Sequence, residues 1–435
     1  KLPRHILPHP RLTQRASCNV ISGFGGCIHY GDGVKLSRFP SGRRLAELLG
    51  AERAAELETT ALHALCGPRL PAFDGARPGS PFPVKNYPVA SLTADQVRDI
   101  VDSLRGRLTA RGVEIRLRSE VTSLDLDASG RWVAATRERR GEHVVRAGSV
   151  VVAVGRRGRS WWHRQIRALG LDFVPPTPSV GVRFEGPAQL LSGGALVHED
   201  YKTTLVRDGV KIKTFCYCAG RSGGGGRIKF TDYATDGYTL LDGHVIAELG
   251  DETAVANFAL LAQLRDEAGR PWDRARIDVE LLAPYRRLRT DRPGKPVLQW
   301  FPDFVDRRVT CASLTDFTHR SGVRPSVADY QMANLAAILP DRVHSGLVAA
   351  FGELADFFTG TTVADYGHQI GVIGLELENT WDELALTPDL ETTAPGLYAV
   401  GDCSGLAQGI VQAAVGGLAA AEKILDSTLV KGLAG

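Results

Sequence analysis

Apolar residues recur along this chain at two different periods, and the switches between them mark its elements. Near the C-terminus Leu397-Tyr398-Ala399-Val400 is a short apolar run of strand formers, stopped by Gly401-Asp402. From Gly409 the spacing of Ile410, Ala413, Ala414, Leu418 and Ala421 is helical. Upstream, Leu45, Leu48, Leu49, Ala55, Leu62 and Leu65 predict a helix over 43–66, capped by Ser41 and broken near Gly50. Thr93 is placed to cap a second helix over 94–111, whose Val97, Ile100, Val101, Leu104 and Leu108 share one face and which Gly112 ends. Residues 113–127 alternate like a strand, and 132–136 with 142–146 predict a hairpin. Val150-Val151-Val152-Ala153-Val154 is apolar on both sides, as in a buried parallel strand, and Gly155-Arg156 closes it.

Beyond Pro175-Pro176 the character changes to short strands around 180–185, 211–218 and 256–261, then helices on either side of Pro340. A chain of 435 residues is long for one domain. The expected fold class is α/β: a Rossmann-like domain over 1–175 and 360–435, interrupted by a strand-rich α+β insertion over 176–359.

The stretch 396–422 places a carboxylate at the end of a strand and a Gly-rich helix entry behind it. A carboxylate accepts from a sugar-like hydroxyl, and the unpaired N–H groups of a helix start favour a negative or electron-rich edge. Glycines beside the aspartate let a bulky ligand approach the backbone. A second Gly-rich stretch, Ser22-Gly23-Phe24-Gly25-Gly26, suits a loop passing close to a ligand or simply a mobile turn.

These segments carry a resemblance. Tyr398-Ala399-Val400-Gly401-Asp402, followed by Gly409-Ile410-Val411-Gln412-Ala413-Ala414, resembles the second flavin-contacting motif of flavoproteins with two dinucleotide-binding domains. More narrowly, Asn19 to Gly26 with Asp32-Gly33-Val34-Lys35-Leu36 is similar to a segment of a bacterial family of FAD-dependent dehydrogenase-like proteins. Ser149 to Arg156, Val180-Gly181-Val182-Arg183-Phe184-Glu185 and Lys213-Thr214-Phe215-Cys216-Tyr217-Cys218 resemble further stretches of the same family, in the same order. Cys27, Gly31 and Ala219 stand where that family has alanine, serine and proline.

The resemblance implies FAD as cofactor, with Ser22, Gly23, Phe24, Gly25, Gly26, Gly155, Gly401, Asp402, Gly409, Ile410 and Gln412 as the residues around it. Asp402 would meet the ribityl chain, and the helix start would point at the pyrimidine end of the flavin. It also implies a strand and Gly-x-Gly-x-x-Gly turn for the pyrophosphate. The chain begins with Lys1, has Met332 as its one methionine and shows no such fingerprint, so that segment is expected either upstream or not at all.

Candidate chemistry outside the flavin motifs is sparse. Cys216 and Cys218, two apart on a strand, point the same way, as a redox pair over a flavin or as two small buried residues. His319, Arg320 and Arg324 gather a titratable ring and two fixed cations in one loop, suited to a substrate carboxylate or phosphate or to an ordinary surface. Arg156, Arg157 and Arg159 form a basic turn, solvated or phosphate-facing. Seven cysteines without regular spacing form neither a disulfide framework nor a metal set, and a reducing cytoplasm fits best. A net charge of +3 argues against nucleic acid, and no run reaches membrane-spanning length.

The expectation is therefore an FAD-dependent oxidoreductase acting on a small molecule held between the two domains. NAD(P)H, another protein or oxygen would be a transient electron partner. A non-catalytic flavin-fold subunit and a flavin-dependent RNA-modifying enzyme are its rivals.

Overall fold

The computed structural model describes residue 24 and residues 34–75, 80–193, 200–218, 226–233, 238–245, 255–289, 295–326, 330–378 and 380–433. The first strands, β1 (Val34–Ser37) and β2 (Val89–Leu92), pair antiparallel. Between them lie helices Arg43–Leu49 and Ala51–Cys66, broken at Gly50 as the pattern indicated. Ser41 does not cap the first of them. Gly42 takes that position with φ 77°, because a Cβ there would lie 2.7 Å from Cγ of Gln412, and Ser41 Oγ meets Ser37 Oγ at 3.2 Å instead.

Helix Ala94–Ala110 starts at Thr93 with a full capping box, Thr93 Oγ1 accepting from Gln96 N and Gln96 Oε1 from Thr93 N. Thr93→Ala is expected to cost about 1 kcal/mol, read as a lower urea midpoint with an unchanged slope. The alternation over 113–119 does not become a strand. Val113 and Leu117 are exposed, and pairing starts only at β3 (Glu120–Leu126), which forms an antiparallel meander with β4 (Trp132–Glu138) and β5 (Gly141–Ala147). Then come β6 (Val150–Val152), helix Arg159–Ala168 and β7 (Phe173–Val174).

The largest sheet is built next, from β8 (Ser179–Pro187), β9 (Thr204–Arg207) and β10 (Val210–Cys218). The hairpin β11 (Gly226–Tyr233) and β12 (Tyr238–Val245) pairs only with itself among the described residues. β13 (Val255–Gln263), β14 (Val297–Trp300), β15 (Gln331–Met332) and β16 (Gly371–Glu378) complete the sheet, in the order β15-β14-β16-β8-β13-β10-β9. All of its pairs are antiparallel except β14 with β15. β16 falls in the expected return segment, 360–435, and lies between β14 and β8, where its Val372, Leu375 and Leu377 belong to the core of this sheet.

β8 and β16 are buried at every position and β13 at nearly every one, so this sheet is covered on both faces. One face carries Val182, Phe184, Phe258, Leu260 and Val372 against helix Asp341–Thr359, with Phe184 and Phe351 stacked at 4.0 Å. The other carries Gly181, Arg183, Asn257 and Glu376. The chain then passes β17 (Glu383–Leu384), paired with β7, and β18 (Leu397–Ala399), and ends in helix Ile410–Leu433. β18 lies parallel to β6, Tyr398 opposite Val151. The α/β class is therefore present, with a parallel core at β6 and β18 beside the large antiparallel sheet. No single helix among the described residues is long and apolar enough to cross a membrane.

Candidate functional site

Parallel strands point their carboxyl ends the same way, and open α/β sheets bind ligands outside those ends. Here β6 runs into Gly155 (φ 59°) and β18 into Gly401 (φ 63°), both in the left-handed region that favours glycine. A Cβ on Gly401 would lie 3.2 Å from that of Ala413, so the glycine also lets the strand-end turn sit on the C-terminal helix. Asp402 follows in a short 3₁₀ turn, Gly401–Ser404, and is half-buried. Among the described residues its carboxylate forms no hydrogen bond or ion pair. Burial pushes the Asp402 carboxyl up to about 6, Glu378 and Asp242 add to that, and Arg156 opposes it.

Arg156, just past Gly155, bridges this turn to the large sheet: it pairs with Glu378 of β16 at 2.6 Å and lies 3.7 Å from Asp242 of β12. Gln408 donates to Glu378 at 3.0 Å. A small cleft, with room for about one water molecule, opens beside these charges, lined by Arg156, Arg159, Leu240, Leu377, Glu378 and Trp381.

The helix start behind Asp402 divides the residues expected there. Gly409 (φ 129°) precedes Ile410, and the first intrahelical bond runs from Ala413 N to Gly409 O. The earlier N–H groups of this turn have no intrahelical acceptor. The Gln412 side chain is fully buried, and Nε2 donates to the carbonyls of Ser37 at 2.9 Å and Ser41 at 3.1 Å. It fastens the C-terminal helix to β1. Gln412→Ala is expected to lower stability by about 1–3 kcal/mol through those unpaired carbonyls, measured by chemical denaturation of cofactor-free protein. Phe24 packs against the same cluster as Val411 and Val415, whereas Ser22, Gly23, Gly25 and Gly26 lie outside the described residues.

A second polar assembly sits under the β11–β12 hairpin. Arg183, fully buried, holds Glu376 in a bidentate pair at 2.8 and 2.9 Å and donates to Asn257 Oδ1 at 2.6 Å and the Cys216 carbonyl at 3.1 Å. Gly243 must be glycine here, since a Cβ would lie 2.2 Å from Arg183 Nη1. Lys35 reaches across from β1 to Asp200 at 2.7 Å and the Tyr217 carbonyl at 2.6 Å, and Tyr87 donates to Asp200 at 2.6 Å. Burial works against both charges of that pair. Asp200 with Cys218 and Cys216 together more than offset it for the Lys35 ammonium, and Lys202, Lys35 and Tyr87 hold the Asp200 carboxyl well below the usual range.

Cys216 and Cys218 do share a side of β10, but not as in a regular strand. The register shifts between Phe215 and Cys218, Cys216 has φ 42°, and the sulfurs approach to 3.7 Å. His319 and Arg324 lie elsewhere. Residues 314–321 form a helix with a Ser313–Asp316 capping box rather than a loop; His319 and Arg324 are exposed on and beyond it. Arg320 stacks over Trp300 at 3.9 Å, and the segment is anchored by Ser326, whose N and Oγ donate to buried Glu185. Among the described residues, neither His319 nor Arg324 bonds to the cysteines or to Asp402.

Reasoning from sequence missed Glu378, Asp242, Asp200, Lys35 and the Arg183–Glu376 pair as members of these sites. The signal for Arg183, Glu376 and Glu378 was charge at alternate positions inside strongly apolar strands, in Val182-Arg183-Phe184-Glu185 and Leu375-Glu376-Leu377-Glu378.

No protein-family model matches the chain, and no curated protein matches it. Among solved structures it is similar to CabE, an aromatic hydroxylase from angucycline biosynthesis, at 13% identity and TM-score 0.33, covering 90% of this chain and 55% of that one. OxyS anhydrotetracycline hydroxylase from Streptomyces rimosus is similar at 11% identity and TM-score 0.32, covering 94% and 58%. A ternary complex of aklavinone-11 hydroxylase with FAD and aklavinone is similar at 13% and 0.31, covering 94% and 52%. The chain thus spans little more than half the length of these structures, and at such identity and TM-score the likeness carries neither their ligands nor their reactions over to it.

Proposed function

We propose that this chain binds FAD at the carboxyl ends of β6 and β18 and works as an oxidoreductase on a small molecule. The observation that carries the reading is the Asp402 carboxylate, half-buried at a strand end, without a partner among the described residues, and set between two left-handed glycines and a helix start. A carboxylate so placed asks for a hydroxyl donor, and the ribityl chain of FAD supplies several. Gly401 keeps the backbone low beside such a ligand, and the helix start at Gly409–Ile410 favours an electron-rich ring edge.

When bound, the isoalloxazine supplies the redox chemistry. The chain's own part is to hold, orient and shield. Arg156 and Glu378 fix the wall between the strand ends and the large sheet. NAD(P)H or another protein as a transient electron partner belongs to the same proposal.

The test is a flavin titration of purified full-length chain, followed by equilibrium dialysis and an absorbance spectrum. Retained yellow flavin that bleaches on adding NAD(P)H or dithionite and recovers in air is the expected result. Protein that stays colourless after FAD is added would overturn the reading and favour a non-catalytic subunit.

A further inference from the structure

Two sulfurs that neither form a disulfide nor bind a metal have been brought together by a distorted strand. In regular β-structure residues two apart are separated by about 6.6 Å along the strand. Here the bulge at Cys216, a non-glycine residue at φ 42°, turns Sγ of Cys216 to 3.7 Å from Sγ of Cys218. A disulfide needs about 2.05 Å, so closure requires the sulfurs to move by less than 2 Å. Such backbone conformations are strained and persist where surrounding contacts fix them. The contacts are present. Arg183 Nη1 holds the Cys216 carbonyl at 3.1 Å, and Lys35 Nζ holds the Tyr217 carbonyl at 2.6 Å. On the far side the Gly243 carbonyl accepts from Cys216 Sγ at 3.0 Å.

The two thiols differ in the way a nucleophile differs from a resolving thiol. Cys216 is half-buried and Cys218 is fully buried. A hydrogen bond from Cys218 lowers the Cys216 thiol to about 6, helped by Lys35 and Arg183 and opposed by burial and Asp242. Burial first, and then the neighbouring Cys216, push Cys218 well up. Elsewhere among the described residues burial raises the thiols of Cys66 and Cys403, which lack a sulfur partner.

We propose that Cys216 and Cys218 form a reversible dithiol–disulfide centre that exchanges with small-molecule disulfides such as oxidised glutathione. The Cys216 thiolate attacks one sulfur of the disulfide, a Cys216–glutathione bond forms, and the first glutathione thiolate leaves and takes up a proton. Cys218 then attacks Sγ of Cys216; the second glutathione leaves with the proton that Cys218 gives up. Two electrons pass from the cysteine pair to the small disulfide, and two glutathione thiols are released. The centre adjoins the strand-end cleft through β12, where Asp242 approaches Arg156 and the next residue, Gly243, holds Cys216. It stands without the flavin reading, because its readout is sulfur mass and not colour.

The experiment treats reduced, desalted full-length chain with oxidised glutathione at neutral pH, blocks remaining thiols and maps tryptic peptides. In the expected result the peptide 214–221 loses two hydrogens, carries no blocking group and regains both thiols with dithiothreitol. Cys218→Ser, whose hydroxyl still donates to Cys216, stops at one glutathione on Cys216, and forms that adduct more than about tenfold faster than Cys216→Ser forms one on Cys218. Wild-type peptide that keeps both thiols free, or carries two separate glutathiones, overturns the proposal without needing either variant to fold. Equal adduct rates in the two variants overturn it as well.

Discussion

Arg183→Met is expected to destabilise the fold by about 3–5 kcal/mol, the usual consequence of removing one partner of a buried ion pair. Arg183 and Glu376 are 0% and 1% exposed, and the guanidinium fills four acceptors at once: both Glu376 oxygens, Asn257 Oδ1 and the Cys216 carbonyl. Without it all of these are left in the sheet's covered face. Burial pushes the Glu376 carboxyl up to about 8, and Arg183 pulls against that. A carboxyl whose folded value is raised adds stability that is complete below its unfolded value of about 4.3 and is lost as pH rises toward the folded value. In the variant nothing opposes burial, so Glu376 keeps its proton to still higher pH.

The loss relative to the parent is therefore smallest at acid pH, where both proteins carry the proton, and grows once pH passes about 8. Glu376→Gln behaves differently, because a guanidinium cannot shed its proton to escape burial; its cost is expected to vary little with pH. Arg183→Met with Glu376→Leu should recover most of the stability, though Asn257 and Cys216 still lack their donor. Urea denaturation of the three variants at several pH values decides this. A pH-independent loss in Arg183→Met, or a double variant no better than the singles, would show that the pair is not held as described.

Asp402→Ala is expected to weaken FAD binding by about 10- to 100-fold, the loss of one hydrogen bond to a charged acceptor of about 1.5–3 kcal/mol. The folded protein should be little affected, because among the described residues the carboxylate supports no other group. Burial pushes the carboxyl up to about 6, so removing it also relieves a desolvated charge. Asp402→Asn keeps the shape and one acceptor, and should lose less. Flavin fluorescence titrations of the three proteins, together with their melting temperatures without flavin, separate binding from stability. Equal affinity in Asp402→Ala and parent would remove Asp402 from the site.

Elements with strong local signals were legible in the sequence. The Gly50 break and the Thr93 cap each follow from a residue type whose physics is local. The parallel pairing expected at 150–154 is present over Val150–Val152, but Val151 and Val154 are exposed rather than buried. What failed was tertiary. Ser41 has the right chemistry for a cap, but the approach of Gln412 makes Gly42 the residue that fits. His319 and Arg324 look like a loop until Ser313 and Asp316 close a helix start beneath them. Gln412 lies in a stretch similar to a flavin motif, and the sequence did not show that its Nε2 also reaches Ser37 and Ser41, residues some 370 positions away. The closeness of the two sulfurs depends on a bulge that no pattern of side chains announces.

The salt bridge from Lys35 to Asp200 has a mechanical corollary. It rivets the first strand to the chain beside β10, so prising those layers apart would strand two opposite charges in a dry seam, at a cost of about 3–5 kcal/mol. Widening that admits a guest is expected instead at the β11–β12 hairpin, which among the described residues shares no strand ladder with the sheet and is tied to its neighbours by contacts such as Gly243 to Cys216 and Ile228 to Ser326. The molecule should breathe there and stay shut at the rivet.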